Sequence, residues 1–341
     1  MNLADLNKVA RAMVAPGKGL LAADESSGTI KKRFDAIGVA STEETRRDYR
    51  EMLFRSTEAM RSCISGVILY DETIWQDAKD GTPLIRIIEQ SGAIPGIKVD
   101  EGTQALPQCP GELVTAGLDR LAERLAKYYE RGARFAKWRA VIDIGARIPT
   151  MTAVHVNAHA LARYAALCQA AQIVPIVEPE ILMDGDHDID RCYEVTQRVL
   201  NKTFQELRVQ RVALEGMILK PNMAISGKKS AKQASVEEVA EKTVRLLKAC
   251  VPAAVPGIAF LSGGQSDADA TAHLDAMNRI GGLPWPLTFS YGRALQAAPQ
   301  QAWSGRPENV AAGQRAFTHR ARMNSLAARG EWKADLEQKA A

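Results

Sequence analysis

The sequence predicts an α/β protein folded as a single (β/α)8 TIM barrel, with an extra C-terminal helical segment and a mobile tail. Three observations predict it. Eight short apolar runs alternate with longer segments of helical spacing. Several runs, such as GVIL and IVPIV, are apolar on both faces, which suits parallel strands covered on either side. No low-complexity linker or composition break divides the 341 residues. One domain over 1–341 is therefore expected, with its tail from about residue 330 onward. An open doubly wound sheet is the competing architecture.

The apolar runs are Gly19–Ala23, Ile64–Leu69, Ile94–Val99, Ala133–Trp138, Ile173–Val177, Met217–Leu219, Gly257–Leu261 and Trp285–Phe289. Between them, Thr42–Arg61 carries an N-terminal helix signal in Ser41 and Thr42 ahead of Glu44 and Thr45. Leu113–Arg131 repeats Leu118, Leu121 and Leu125 at helical intervals. Thr152–Ala171, Ile189–Leu207, Val236–Cys250, Asp267–Ile280 and Arg293–Trp303 complete the helical set. The chain after Arg306 reads as further helix and then a charged end.

Hydrophobic residues at 46% and charged residues at 25% are ordinary for a globular protein and exclude a disordered or disulfide-scaffold chain. A net charge of only +4 argues against nucleic acid as a partner. Cys63, Cys109, Cys168, Cys192 and Cys250 are odd in number and far apart, which suits free thiols in a reducing compartment. The N-terminus has Asp5 where a signal peptide needs an apolar run, and no stretch reaches the length of a membrane span. A soluble cytoplasmic protein without a membrane partner is expected.

Barrel chemistry gathers at the C-terminal ends of the strands. The residues closing the runs are Asp24, the Tyr70-Asp71-Glu72 group, Lys98, Lys137, Glu178, Lys220, Ser262 and Ser290. One charged residue in such a place is a solvated loop entry, but repetition at strand after strand points to a shared site. Lys220 follows the apolar MIL. Burial beside Lys98 and Lys137 would disfavour its ammonium and leave an amine able to attack a carbonyl. It could equally pair with Glu178, Glu180 or Glu215, and the two readings are compatible. Glu178 and Glu180 are two apart in VEPE and share one face of an extended chain. Together they suit acid and base work, and Asp24 is a third candidate base.

FLSGGQS joins a strand to a helix through Ser262, Gly263 and Gly264, and TFSYGRAL repeats the theme with Ser290, Gly292 and Arg293. Either could be an ordinary glycine turn. As the seventh and eighth units they fall where barrels form phosphate sites. Arg33 and Arg139 could grip a second anion. His155 and His159 share a helix face without the rest of a metal motif, and DGDHDID reads as a turn and helix cap rather than a calcium loop.

The segments LLAADES, GVILYDET, GIKVDEG, FAKWR, IVPIVEPEIL, DGDHD, LKPNM, FLSGGQS and LTFSYGRALQ, in this order, resemble class I fructose-bisphosphate aldolase. The resemblance runs from about residue 10 to about 328. It implies reversible cleavage of fructose 1,6-bisphosphate to dihydroxyacetone phosphate and glyceraldehyde 3-phosphate, in glycolysis and gluconeogenesis. It also implies a homotetramer acting on small sugar phosphates with no metal or other cofactor. Lys220 would form the Schiff base and Glu178 would shuttle protons. Asp24 would help deprotonate the C4 hydroxyl with Lys137, while Glu180 and Lys98 tune the site. Ser262, Gly263, Gly264, Ser290 and Arg293 would hold the C1 phosphate. Arg33 would assist phosphate recognition, and Ser26 and Thr29 would lie near the C6 phosphate. Well-known animal members end in a tyrosine that assists proton exchange. Here no tyrosine follows Tyr291, so another acid such as Glu178, or water, is expected to serve. The alternatives are another ketose phosphate, such as fructose 1-phosphate or sedoheptulose 1,7-bisphosphate, or a scaffold protein that only binds phosphometabolites.

Overall fold

The computed structural model describes residues 1–339. Helix α1 (Leu3–Met13) opens the chain, capped by Asn2, which accepts from the amides of Ala4 and Asp5. Then come β1 (Gly19–Ala23), α2 (Ser27–Asp35), α3 (Glu43–Phe54), α4 (Thr57–Ser62), β2 (Ile64–Leu69), α5 (Asp71–Trp75), α6 (Leu84–Gln90) and β3 (Ile94–Lys98). A hairpin of β4 (Thr103–Ala105) and β5 (Leu113–Thr115) leads into α7 (Leu121–Arg131). Strict alternation follows: β6 (Phe135–Ile142), α8 (Met151–Ala170), β7 (Val174–Ile181), α9 (Ile189–Val209), β8 (Ile218–Leu219), α10 (Val236–Cys250), β9 (Ile258–Phe260), α11 (Asp267–Ile280), β10 (Leu287–Tyr291) and α12 (Arg293–Trp303). Last are α13 (Val310–Ala327) and a 3₁₀ turn (Ala334–Lys339).

Eight parallel strands close a barrel in the order β1-β10-β9-β8-β7-β6-β3-β2, with β2 returning to β1. The eight apolar runs are its eight strands. Alternate residues of each strand face the barrel interior. Low in the barrel these are apolar: Leu20, Ala22, Ile68, Phe135, Val174, Ile176, Ile218 and Ala259 form one buried cluster. Leu6, Ala10, Met13 and Val14 join it, so α1 and the residue after it plug the barrel's N-terminal end. Phe135 fills the space where a side chain on Gly66 or Gly96 would stand. A larger apolar layer between strands and helices includes Trp138, Tyr164, Phe260 and Phe289, and a smaller third cluster gathers Ile142, Val154, Ile181 and Val195.

Two element assignments need correction. Leu113–Arg131 is not one helix. Leu113–Thr115 pairs antiparallel with Thr103–Ala105, Gly117 and Arg120 take positive φ, and the helix starts only at Leu121. The leucine spacing across that break is coincidental. Thr42–Arg61 is two helices, because the turn at Arg55 and Ser56 separates α3 from α4. Strands β6 and β7 also run four residues beyond their apolar runs, so Arg139, Glu178 and Glu180 lie within strands rather than after them.

Near the C-terminus the Trp332 amide donates to Asp275 at 2.7 Å and its indole donates to Glu337 at 3.1 Å. Glu337 forms an ion pair with Arg320 of α13. The segment expected to be a mobile tail runs on to residues 340 and 341, which lie outside the described residues.

Candidate active site

The same two-residue period that makes the lower barrel apolar makes its mouth charged. In β7 the inward positions pass from Val174 and Ile176 to Glu178 and Glu180. In β6 they pass from Phe135 to Lys137 and Arg139. Leu20 and Ala22 are followed by Asp24, and Ile218 is followed by Lys220. These charged side chains line a cavity of about 850 Å³ at the C-terminal end of the barrel.

Lys220 stands one residue beyond β8 and is 4% exposed. Its amide donates to the Val177 carbonyl at 2.8 Å. Asn222 ties the same segment to β7, accepting from the Ile181 amide at 3.0 Å and donating to Thr196. These bonds bring Lys220 Nζ to 3.1 Å from Glu178 Oε1. The other oxygen of Glu178 lies 3.6 Å from Lys137 Nζ, and Lys137 Nζ is 2.5 Å from Asp24 Oδ2. Lys220, Glu178, Lys137 and Asp24 therefore form a buried chain of alternating charge. Burial by itself would raise the Asp24 carboxyl, but the ammonium groups of Lys137, Lys220 and Lys98 outweigh it and hold the group down to about 2. Burial works against the Lys137 ammonium, yet Asp24, Glu178 and Asp100 raise its value overall.

Each remaining charge has its own partner. Lys98 Nζ donates to the Asp100 carbonyl and carboxylate, both at 2.7 Å. Arg139 donates to Glu180, so Glu178 and Glu180 share a face but answer to different cations.

Between Lys220 after β8 and Asp24 after β1, the neighbouring strands β9 and β10 bring hydrogen-bond donors to the mouth. Gly263 and Gly264 adopt φ of +54° and +86°, which turns the chain sharply after β9. Their amides find no acceptor among the described residues. Ser290 Oγ, near the end of β10, is buried with no hydrogen-bond partner among the described residues. Gly292, which also lines the cavity, leads directly into α12. Ser26 caps α2, accepting from the Thr29 amide at 3.4 Å.

Of the residues expected at the site, Asp24, Ser26, Thr29, Lys98, Lys137, Arg139, Glu178, Glu180, Lys220, Ser262, Gly263, Gly264, Ser290 and Gly292 line the cavity. Arg33 and Arg293 stand behind it. Arg33 Nη1 lies 2.5 Å from Glu25, and Arg293 donates to the Gln265 carbonyl at 2.8 Å. Glu25, Asp100, Asn222 and Lys228 were not expected. Glu25 is an anchor: it also accepts from Gln296 at 2.8 Å, and buried Arg50 donates to its carbonyl at 2.9 Å. Its signal was its place beside Asp24 in LLAADES. His155 and His159 remain outside the site, both facing Glu206 at 3.3 Å. Asp188 of DGDHDID caps α9. Among the described residues, no group of three or more His, Cys, Asp or Glu side chains is arranged to hold a metal ion.

The profile of the fructose-bisphosphate aldolase class-I family matches residues 5–341. A probable fructose-bisphosphate aldolase class 1 of Xanthomonas campestris pv. campestris is 58% identical over 98% of this chain and 100% of its own length. A protein of Arabidopsis thaliana named fructose-bisphosphate aldolase 6, cytosolic, is 53% identical over 94% of this chain and 90% of its own. The solved fructose-bisphosphate aldolase of Plasmodium falciparum, in complex with TRAP and a small-molecule inhibitor, superposes with a TM-score of 0.95. Identity there is 47%, over 97% of this chain and 96% of that one. Likeness along the whole length, joined to a parallel barrel with two lysines bridged by one buried carboxylate at its mouth, makes this chain a member of the class-I fructose-bisphosphate aldolases, which are carbon–carbon lyases.

Proposed function

We propose that Lys220 is the imine-forming residue of this aldolase and that Glu178 and Asp24 move the protons of the cleavage. One observation carries the reading: a buried amine stands 3.1 Å from a carboxylate, in a cavity whose lining after β9 and β10 offers amides and a hydroxyl without partners among the described residues.

The substrate, D-fructose 1,6-bisphosphate, has a ketone at C2. Glu178 accepts a proton from the Lys220 ammonium, and the free amine adds to C2. Glu178 then protonates the departing hydroxyl, leaving a protonated imine. That cation is the electron sink. Asp24 takes the C4 hydroxyl proton, and the electrons of the C3–C4 bond move toward the imine. D-glyceraldehyde 3-phosphate leaves, and an enamine remains on Lys220. Protonation at C3 and hydrolysis release dihydroxyacetone phosphate and restore the amine. Lys137, 2.5 Å from Asp24 and 3.6 Å from Glu178, holds the two carboxylates in position.

The phosphates supply orientation. Ser262, Gly263, Gly264, Ser290 and the start of α12 suit the one on C1, with Arg293 behind them. Ser26, Thr29 and Arg33 suit the one on C6. Lys98, Arg139 and Glu180 set the field between the two. Replacement of Lys220 by Met should remove cleavage by several orders of magnitude and leave sugar-phosphate binding measurable. Turnover comparable to the parent chain would overturn the assignment.

The same reading takes the chain as a homotetramer in the cytoplasm. Resemblance to the family supports the first, and a relative named cytosolic supports the second. Among the described residues, no helix is long and apolar enough to cross a membrane. Light scattering after gel filtration tests the tetramer, which requires four times the chain mass.

A further inference from the structure

Lys228 lies in the GKKS segment between β8 and α10. The Gly227 amide donates to the His187 carbonyl at 2.8 Å, the Lys228 amide to Met183 at 2.7 Å, and the Lys229 amide to Gly185 at 2.9 Å. The backbone of residues 227–229 is thereby pinned along the loop that follows β7.

From this anchored base the Lys228 side chain reaches over the glycine turn after β9. A methyl group built on Gly264 would stand 2.8 Å from Lys228 Nζ and 3.1 Å from its Cε. Lys228 and Asp184 line the same cavity as Lys220, Ser262, Gly263 and Gly264. The only ion pair of Lys228 among the described residues is with Asp184, at 2.8 Å. Both side chains are well exposed, at 43% and 62%. An exposed pair of this kind is worth little and exchanges readily. The neighbouring amides of Gly263 and Gly264 have no acceptor among the described residues.

We infer that Lys228 is a further substrate-binding residue, which leaves Asp184 to close over the phosphate held by the Ser262–Gly264 turn. The inference rests on the proposed placement of the C1 phosphate at that turn. Asp184 then competes with the phosphate for one ammonium, so the two residues oppose each other. Removing the cation weakens binding of the phosphate, and removing the carboxylate strengthens it. Because this contact forms with bound substrate and product as well as in the transition state, its loss falls on KM more than on kcat.

The test compares K228M, K228R and D184N with the parent enzyme and with S290A, which alters the turn's other wall. The readouts are kcat, KM for fructose 1,6-bisphosphate, and Ki for inorganic phosphate as the probe anion. K228M should raise KM and Ki about threefold to tenfold, as expected for one partly solvated charge-assisted contact. K228R should recover most of that loss, and D184N should lower Ki. A Ki in K228M within twofold of the parent, while S290A still weakens phosphate, overturns the role of Lys228 and leaves the turn's assignment intact. If neither K228M nor S290A changes Ki, the placement of the phosphate itself is wrong. If K228M and D184N weaken phosphate alike, the pair acts only structurally and the inference also fails.

Discussion

Glu178 Oε1 lies 3.1 Å from Lys220 Nζ across the junction of β7 and β8. Its other oxygen faces Lys137 at 3.6 Å. One carboxylate thus separates two buried ammonium groups, and its charge cannot be removed without exposing each to the other. Glu178→Gln keeps the shape and removes the charge and the proton-carrying capacity. Cleavage kcat should fall about 10²–10⁴-fold, the range for loss of a positioned acid–base group. The change in KM should be much smaller. Steady-state kinetics on fructose 1,6-bisphosphate reads both.

Asp24 gives the fold a pH dependence of known sign. Its folded value near 2 lies below the ordinary 3.8. Such a carboxylate contributes stability that is fully present above its unfolded value and is lost as pH falls toward the folded one. The contribution is on the order of 2 kcal/mol. Asp24→Asn should therefore lower the thermal midpoint by a few degrees at pH 7. The gap to the parent chain should narrow between pH 4 and pH 2. Thermal scans across that range measure it, and a gap that widens with acid would contradict the assignment.

The plug at the bottom of the barrel makes a separate prediction. A methyl group on Gly257 would stand 2.6 Å and 2.7 Å from the two γ-carbons of Val14, just after α1. Gly257→Ala should destabilise by about 1–3 kcal/mol through overpacking. Adding Val14→Ala relieves the closest contacts, so the double variant should lose less than the sum of the single losses. Urea unfolding of the four proteins tests this.

Truncation after Gly330 separates stability from turnover. It removes Trp332, which bonds Asp275, and Glu337, which pairs with Arg320. None of these residues lines the cavity. The thermal midpoint should drop while kcat at 25 °C stays within about twofold of the full chain. A large loss of cleavage at unchanged stability would give the tail a chemical role.

The barrel and most of the residues that line its candidate site were legible because both depend on local patterns. Two-sided apolar runs mark parallel strands, and a polar residue ending such a run marks the mouth. Lys220 and Glu178 could be found in this way. Residues whose role depends on distant neighbours could not. Leu113 and Leu118 keep a helical beat with Leu121, and only pairing with Thr103–Ala105 shows that the helix starts later. Lys228 looks like one charge among several until the fold sets it over Gly264. Arg33 and Arg293 were expected at the site but stand behind its wall, because Glu25 and the Gln265 carbonyl hold them there.

The amine on Lys220 carries the whole account, and reduction can capture it directly. The enzyme is incubated with dihydroxyacetone phosphate, treated with borohydride, digested, and sequenced by mass spectrometry. The account predicts one reduced adduct, on Lys220, accumulating in step with the loss of activity. An adduct on Lys137 or Lys98 instead, or full inactivation with no adduct on Lys220, would contradict it.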